Sequence, residues 1–325
     1  MPRGPRLDAP GTLHHVILRG IERRDIVADD TDRENFIARM GVLALSTATS
    51  IFAWALMSNH AHILLRSGPE GLPVFMRRFL TGYAVSFNRR HQRCGHLFQN
   101  RYKSIICDEN VYFTELVRYI HLNPVRAGIA ASMTELETYP WCGHACIMGK
   151  NQYPWQDADY VLGFFGKQIN EARDAYRDFV RKGIAQGRRP ELTGGGLIRS
   201  MGGISALKSL RFSGLTEKGD ERILGRGEFV ETVLAAAEQN IPRQLPLNER
   251  IDRARQRIIE VCHAEGIDEV QLYCGSRRRR VSAVRSRLAA ELTREIGLSL
   301  TEAARQLGVS ISAIRKIMER LGGRC

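Results

Sequence analysis

The sequence lacks any hydrophobic run approaching the roughly 18 to 20 residues that a membrane-spanning helix needs. Its amino-terminal stretch, MPRGPRLDAPGTLHHVILRG, also lacks an apolar segment of signal-peptide length. Cysteine is scarce and unpaired in pattern, since the seven cysteines are odd in number and none has CxxC spacing. Such usage is typical of free thiols in a reducing compartment. We therefore do not expect a membrane-embedded or secreted protein and predict a cytoplasmic one.

Acidic residues are also in short supply. The chain has 35 Asp and Glu against 48 Lys and Arg, which gives a formal net charge of +13. This excess favours a polyanionic partner, nucleic acid first and an acidic membrane surface second. Hydrophobic residues make up 43% and aromatic residues 7% of the chain, which excludes a mostly disordered basic tail.

The amino-terminal part of the chain alternates strand-like and helix-like patterns. The order βαββαβα, with antiparallel neighbours, predicts an α+β fold with a ferredoxin-like antiparallel sheet and helices. Asp30 or Thr31 is the expected N-cap of the first helix. The predicted elements are a strand His15–Arg19, a helix 31–47, strands Ile51–Met57 and His60–Arg66, a helix 72–91, a strand Tyr102–Cys107 and a helix from Asn110 to about Asn123, stopped by Pro124.

The 325 residues are enough for about two domains. A helical pattern covers about 155–181, and a stretch rich in Gly and Arg at 182–203 is typical of a linker. We predict a catalytic domain at 1–150, a helical extension and linker at 151–225, and an all-helical domain at 226–325. Cys142, His144 and Cys146 resemble a zinc knuckle but lack a fourth ligand, so packed cysteines are favoured, and the three tryptophans are expected in the core.

The string MSNHAHILL places two histidines in the second strand of a hairpin. Strand alternation puts His60 and His62 on one face with Leu64, about 7 Å apart, where two neutral imidazoles can hold one divalent cation. Taken alone, the pair is more often a packed or surface feature. The interpretation of these histidines as a metal site therefore needs a second indication from elsewhere in the chain.

That support comes from the helix VYFTELVRYIHLNPVRAG. Phe113, Leu116, Val117 and Ile120 form its apolar arc, and the flank of the arc carries Tyr119 and Asn123, one turn apart, with Tyr112. The helix can therefore pack on a sheet while it presents a phenol and a carboxamide. The alternative is a tyrosine that merely lies at the core boundary.

The strings NHAHILL, FQNRYKS and RYIHLNPVRAG, in that order and spacing, resemble the REP-associated tyrosine transposases, members of the class of HUH single-strand nucleases. The resemblance covers residues 10 to about 145. It implies a ferredoxin-like sheet in which His60 and His62 match the metal ligands, Tyr119 matches the catalytic nucleophile and Asn123 matches the third, polar ligand.

The chemistry implied by this resemblance suits the residue types. A phenol, with a pKa near 10, is a weak nucleophile and needs a cation that polarises the scissile phosphate. Two histidines, an amide oxygen and open positions favour an octahedral divalent metal, Mg²⁺ or Mn²⁺. In-line attack would leave a 5′-phosphotyrosine and a free 3′-hydroxyl. In dimeric relatives the tyrosine helix can serve the partner's histidines, so a homo-oligomer and catalysis in cis or in trans both stay open.

Basic residues with interleaved aromatics are expected to flank the site and to bind single-stranded DNA. For each charge taken singly, a solvated helix face is the alternative. The group consists of Arg77, Arg78, Arg89, Arg90, Arg93, Arg101, Tyr102 and Lys103.

Residues 299–321, SLTEAARQLGVSISAIRKIMERL, match a helix-turn-helix. Ser299 begins a capping box, Gly308 supplies the turn, Ser310 can cap the second helix, and 311–320 would be the recognition helix. A helical hairpin with a packing role is the alternative.

The preceding string GSRRRRVSAVRSRLAAELTREIG resembles the carboxy-terminal DNA-binding domain of the replication initiator DnaA over about 45 residues. The resemblance implies binding of duplex or hairpin DNA but not the same target sequence, because SISA replaces the base-reading residues. The expected contacts are Arg277, Arg278, Arg279 and Arg280 on the phosphate backbone, with Ser312, Arg315 and Lys316 on the recognition helix.

Together these patterns predict a single-stranded DNA endonuclease and strand transferase that acts next to DNA hairpins. The main alternative is a non-catalytic, sequence-specific DNA-binding regulator that keeps the transposase fold. A metal-dependent nuclease that activates water is a more distant one.

Overall fold

The computed structural model of the chain describes residues 7–8, 10–187, 189–194, 220–244, 247–276 and 278–322. Two compact units are present, Leu7–Leu234 and Ala235–Cys325. Within the described ranges, no helix combines the length and the apolar character needed to cross a bilayer.

The first unit contains a sheet and a series of helices of different lengths. Its strands are β1 Leu13–Arg19, β2 Ser50–Leu56, β3 His60–Arg66, β4 Lys103–Cys107 and β5 Ile223–Leu224. Its helices are α1 Asp30–Ser46, α2 Leu72–Arg90, α3 Glu109–His121, α4 Asn123–Arg126, α5 Met133–Thr138, α6 Gly143–Ile147, α7 Ala158–Leu162, α8 Ile169–Lys182 and the start of α9 Gly227–Gln244, with 3₁₀ turns at Ile21–Arg23, Ile184–Gln186 and Pro190–Thr193.

The strand order of the sheet is β2-β3-β1-β4-β5. The first four strands pair antiparallel in the ferredoxin-like order that the element sequence predicts. The fifth strand, which the sequence pattern does not predict, pairs parallel to β4 through Ile106 and Ile223, so the complete sheet is mixed. A strand of two residues is too short to show the alternation by which strands are found in a sequence.

The sheet has helices on both faces. Helices α1 and α2 pack with Ile63 and Leu65 of β3, whereas α3 packs on the opposite face, with Leu64 of β3 and Ile105 of β4. The predicted apolar arc of α3 is confirmed, since Phe113, Leu116, Val117 and Ile120 are all buried. Each such side chain contributes roughly 1.5 to 3 kcal/mol on leaving water. This packing fixes which side of α3 its tyrosines occupy.

Several local expectations need correction. The N-cap of α1 is Asp29, whose side chain accepts from the Asp32 amide, and not Asp30 or Thr31. Pro124 does not stop the helical path: it lies at an early position of α4, where a missing amide hydrogen costs nothing. The helical pattern at about 155–181 corresponds to two helices, α7 and α8. The tryptophans do serve the core, with Trp54 fully buried and the other two packed beside it.

The second unit is helical, as the sequence predicts. Its helices after α9 are α10 Leu247–Ala264, α11 Glu269–Tyr273, α12 Arg279–Arg294, α13 Leu300–Gln306 and α14 Ile311–Gly322. The caps of the last two helices are confirmed, because Ser299 accepts from the Glu302 amide and Ser310 accepts from the Ala313 amide. Gly308 between them has φ 63°, and a Cβ there would lie 2.2 Å from the Tyr273 carbonyl oxygen, so only glycine fits the turn.

Two histidines are buried in the first unit around one phenol. The Tyr176 hydroxyl lies 2.6 Å from Nδ1 of His121 and 2.8 Å from Nδ1 of His144, so it donates to one ring and accepts from the other. Burial lowers the pKa of both histidines, that of His144 to about 3. Cys142 is packed beside them, with its Sγ donating to the His121 carbonyl. These histidines therefore stay neutral while the unit is folded.

We expect the first unit to lose stability in acid because of this burial. The unfolded state binds a proton at His144 below its ordinary pKa of 6.5, whereas the folded state does so only near 3. The free energy of unfolding that depends on the neutral state of His144 is therefore fully present above pH 6.5. It is lost as the pH falls from 6.5 towards 3. At pH 5 the loss is about 2 kcal/mol from His144 alone, with His121 acting in the same direction.

Urea unfolding at pH 7, 6 and 5 measures this loss. The chain's three tryptophans, Trp54, Trp141 and Trp155, all lie in the first unit, so their fluorescence follows that unit. The exposed His96 is a matched control, and His96→Gln should leave the pH dependence unchanged. A free energy of unfolding that is the same at pH 5 as at pH 7 would contradict the expectation.

Candidate active site

The two histidines of β3 point to the sheet face that α3 covers. His60 and His62 lie on the same face of β3 as Leu64, which packs with α3. Ala61 and Ile63 lie on the other face, in the core on the opposite side of the sheet. The ring centroids of the two histidines are 5.4 Å apart. His62 is buried, with 5% of its surface exposed, and His60 is half-buried at the start of the strand. The pair therefore lies at the margin of a packed interface.

Helix α3 brings a tyrosine to the same place. The ring centroid of Tyr119 lies 5.9 Å from that of His62 and 6.0 Å from that of His15 on β1, both in edge-on orientation. Tyr119 is half-buried at the rim of the core that α3 forms with the sheet. The histidine pair and the tyrosine of one chain thus meet without a second copy.

Asn123 follows Tyr119 by one helical turn, at the first residue of α4. Its side-chain amide donates to the Ile120 carbonyl at 3.2 Å. That bond uses Nδ2 and leaves Oδ1 as the acceptor that a cation would use.

The proton positions on His60 follow from its neighbour. Asn59 donates from Nδ2 to the Arg23 carbonyl at 3.1 Å, so its Oδ1 is the atom that lies 2.6 Å from Nδ1 of His60. An amide oxygen only accepts, and therefore Nδ1 of His60 carries the proton. Burial, with a smaller effect of the Arg19 charge, lowers the pKa of His60. The ring is neutral at pH 7, and Nε2 has the lone pair.

His62 contacts a histidine that the sequence analysis did not select. Its Nδ1 lies 2.9 Å from Nε2 of His15, and Nδ1 of His15 lies 3.0 Å from the Leu192 carbonyl oxygen. Burial lowers the pKa of His15 to about 4 and that of His62 well below its ordinary value. Both rings are buried in the interface between the sheet and α3.

The donor set fits a divalent cation. Two neutral imidazoles and an amide oxygen are ligands that Mg²⁺ and Mn²⁺ accept, with other positions left for water or phosphate oxygens. No cluster of three or more His, Cys, Asp or Glu side chains suited to a metal occurs in the part of the chain that the structure describes.

Three basic residues lie around the histidines and the tyrosine. Arg19 is the register partner of His60, and both Lys103 and His62 pair with Ile17 of β1. Arg19 and Lys103 therefore lie on the sheet face that carries the histidines. The guanidinium of Arg126 lies 4.9 Å from the Tyr119 ring centroid and donates to the Tyr119 carbonyl at 2.9 Å. Of these only Lys103 was selected from the sequence.

The basic residues of α2 lie elsewhere. Arg77, Arg78 and Arg89 are exposed on a helix that covers the other face of the sheet, so the expectation that they flank the histidine pair is wrong. Arg90 donates to the carboxylates of Asp29 and Asp32 at 2.6 to 2.8 Å, which ties the end of α2 to the start of α1. Any role of the four in DNA binding stays a prediction.

The segment before β4 passes one end of the site. Phe98 pairs with Gly20 just beyond β1, and Arg101 is exposed three residues later. Tyr102 packs with the core of the opposite face, whereas Lys103 is exposed and donates to the Thr193 carbonyl at 2.6 Å. Of Tyr102 and Lys103, only Lys103 therefore lies on the sheet face that carries the two histidines.

In the second unit the selected side chains are accessible. Ser312, Arg315 and Lys316 are exposed along one side of α14, while Ile314 is buried in the helical core. Arg277 lies outside the described residues. Arg278, Arg279 and Arg280 are exposed at the start of α12, and Arg280 donates to the Glu265 carbonyl. That these residues bind DNA stays a prediction.

Comparison with known proteins gives a match to a family model and a similar solved structure. The model of the family described as IS200-like transposase matches residues 11–123. No curated protein matches the chain. A solved structure, described as a REP-associated tyrosine transposase bound to a REP hairpin, is similar at 14% identity and a TM-score of 0.38, over 52% of this chain and 93% of that one.

Proposed function

We propose that the chain, whose residues 11–123 match the model of the family of IS200-like transposases, cleaves and rejoins single-stranded DNA through a covalent tyrosine intermediate. The observation that carries the proposal is the meeting of Tyr119 with a pair of neutral histidines, its ring 5.9 Å from that of His62.

The proposed nucleophile is the Tyr119 hydroxyl. Its oxygen attacks the scissile phosphorus as it loses its proton, and the bond between phosphorus and the 3′ oxygen breaks. The 3′ oxygen takes up a proton as it leaves, and the 5′ phosphate stays on the tyrosine. The reverse attack by a 3′-hydroxyl rejoins the strand, so no ATP or redox partner is needed.

His60, His62 and Asn123 are the residues that would hold a divalent cation, Mg²⁺ or Mn²⁺. When bound, it would neutralise charge on the scissile phosphate and make the phosphorus a better electrophile. The protein's own share is to keep both imidazoles neutral and oriented. Burial of His62 and the Asn59 bond to His60 serve this purpose.

The three basic side chains around the site have different proposed roles. Arg126, stacked on the Tyr119 ring at 4.9 Å, would offset the negative charge that develops on the phenol oxygen. Arg19 and Lys103, on the same sheet face, are suited to the phosphates on either side of the cleavage point. This set replaces the α2 arginines as the proposed contacts at the reacting phosphate.

The proposed substrate is a single strand next to a hairpin, which rests on the motif resemblance and on the basic balance of the chain. Incubation of the full chain and Mn²⁺ with a hairpin oligonucleotide, end-labelled on its single-stranded flank, tests the function. We expect a cleaved strand and a protein-DNA adduct that survives denaturation. A gel shift without an adduct would indicate a regulator, and cleavage without an adduct would indicate a nuclease that activates water.

The second unit is proposed to add affinity for duplex or hairpin stems through α14. The double substitution Arg315→Gln and Lys316→Gln should weaken binding of a duplex oligonucleotide. It should also reduce the magnitude of the slope of log affinity against log salt by about 1.8, because each phosphate contact that forms releases about 0.9 counterion and two such contacts are removed.

A salt titration by fluorescence anisotropy measures this slope. Arg253→Gln, which removes an exposed arginine of α10, is the matched control and should leave the slope close to that of the parent chain. An unchanged slope in the double variant would exclude α14 from the DNA interface.

A further inference from the structure

The chain has an element beyond its family-matched segment that contacts the histidine site. The 3₁₀ turn Pro190–Thr193 presents the Leu192 carbonyl to His15, and His15 contacts His62. We infer that this turn, through His15, fixes the proton of His62 on Nδ1 and so keeps its Nε2 available for a cation. His15 is on this account a positioning residue. The inference deepens the proposed function and rests on it for the identity of the site.

The direction of the proton chain follows from what each atom can do. A carbonyl oxygen only accepts, so Nδ1 of His15 must donate to Leu192. A neutral imidazole has one donor and one acceptor nitrogen, and therefore Nε2 of His15 is an acceptor. The atom facing it at 2.9 Å, Nδ1 of His62, must then donate. This leaves the lone pair of His62 on Nε2.

The 3₁₀ turn that orients the Leu192 carbonyl is anchored by packing and by hydrogen bonds. Leu192 is buried in the same core as α3, with 1% of its surface exposed. Lys103 of β4 donates to the Thr193 carbonyl, and Arg189 donates to Glu115 of α3. The turn is thus tied to a strand and to the tyrosine helix on either side of the Leu192 carbonyl.

The neighbouring His60 is fixed by a different device, the amide oxygen of Asn59. The two histidines therefore have the same tautomer, imposed independently from the hairpin turn and from the 3₁₀ turn. Groups that orient a ligating histidine in this way typically change metal affinity by 10- to 100-fold when removed.

The first test needs neither DNA nor metal. In the full chain labelled with ¹⁵N-histidine, long-range ¹H–¹⁵N spectra at pH 7 should show His62 with its proton on Nδ1, the signal being assigned by its loss in His62→Gln. In His15→Phe, which keeps a ring but removes the acceptor, the proton should redistribute between the two nitrogens. A His62 proton found on Nε2 in the parent chain would overturn the inference.

The second test measures Mn²⁺ affinity by calorimetry, with His62→Ala as the baseline for unrelated binding. His15→Phe should bind 10- to 100-fold more weakly, whereas His15→Gln, whose Oε1 can accept from His62, should retain affinity within about threefold. His14→Phe is the matched control, because His14 is equally buried but bonds Thr12 and Ser104 instead of His62.

The outcomes separate this inference from the proposed function. Parent-like Mn²⁺ affinity in His15→Phe would overturn it even if the chain cleaves DNA. The expected tautomer and affinities would support it even if no DNA is cleaved. Circular dichroism identifies variants that do not fold. If such variants occur, the position of the His62 proton in the parent chain tests the inference without them.

Discussion

Replacing Tyr119 with phenylalanine is expected to lower the rate of DNA cleavage by roughly three orders of magnitude or more and to abolish the covalent adduct. The substitution removes one oxygen atom and leaves the ring in its position 5.9 Å from His62. Because the ring still packs at the rim of the core, the fold and the binding of Mn²⁺ should be preserved. Single-turnover cleavage of a labelled hairpin oligonucleotide measures the effect.

Tyr112 provides the matched control for this change. It is also half-buried, lies on the same helix and packs at the rim of the same core. We expect Tyr112→Phe to cleave at a rate within a few-fold of the parent chain. Undiminished cleavage by Tyr119→Phe, or an equal loss in both variants, would remove Tyr119 from the role of nucleophile.

Replacing either histidine of the pair with alanine is expected to lower Mn²⁺ affinity by about 100-fold or more, since loss of a ligand exceeds the loss of a group that only orients one. His62→Ala should also destabilise the first unit, because His62 is buried and bonded to His15. His60→Ala, at a half-buried position, should leave the fold largely intact. His60→Ala is therefore the cleaner test.

Calorimetric titration with Mn²⁺ and cleavage assays over a range of Mn²⁺ concentrations give the readouts. Higher Mn²⁺ should partly restore cleavage by His60→Ala, because the loss lies in cation binding. The exposed His96 is the control, and His96→Ala should match the parent chain. Parent-like Mn²⁺ affinity in both His60→Ala and His62→Ala would refute the metal site.

Much of the first unit is predictable from local pattern. Strand alternation and the NHAHILL string place His60 and His62 on one face, and the spacing of Phe113, Leu116 and Val117 places Tyr119 on the flank of a packing helix. Both inferences need only the periodicity of one element. The structure then brings the two elements together in one interface.

The remaining site residues depend on register, which no single element contains. Arg19 joins the site because it pairs with His60, and His15 because it lies diagonally across from His62. Arg126 joins because α4 continues the helical path past Pro124. The Leu192 carbonyl comes from a turn far along the chain. Alternation in β1 could have indicated that His15 and Arg19 share a face, but not which strand adjoins it.

Charge pattern was a poor guide to position. The arginines of α2 are numerous and close in sequence to the histidine hairpin, yet α2 covers the opposite face of the sheet. Arg90 forms ion pairs that hold α1 and α2 together. Composition shows that a chain can bind a polyanion but not where it binds.

Mass spectrometry of the adduct tests the central claim most directly. The parent chain is trapped on a hairpin oligonucleotide with Mn²⁺, the DNA is digested to a short remnant, and the protein is cleaved into peptides. The account predicts that a nucleotide remnant is attached to the peptide containing Tyr119, through its phenol oxygen. A remnant on any other residue, or DNA cleaved in full with none attached to the protein, would contradict it.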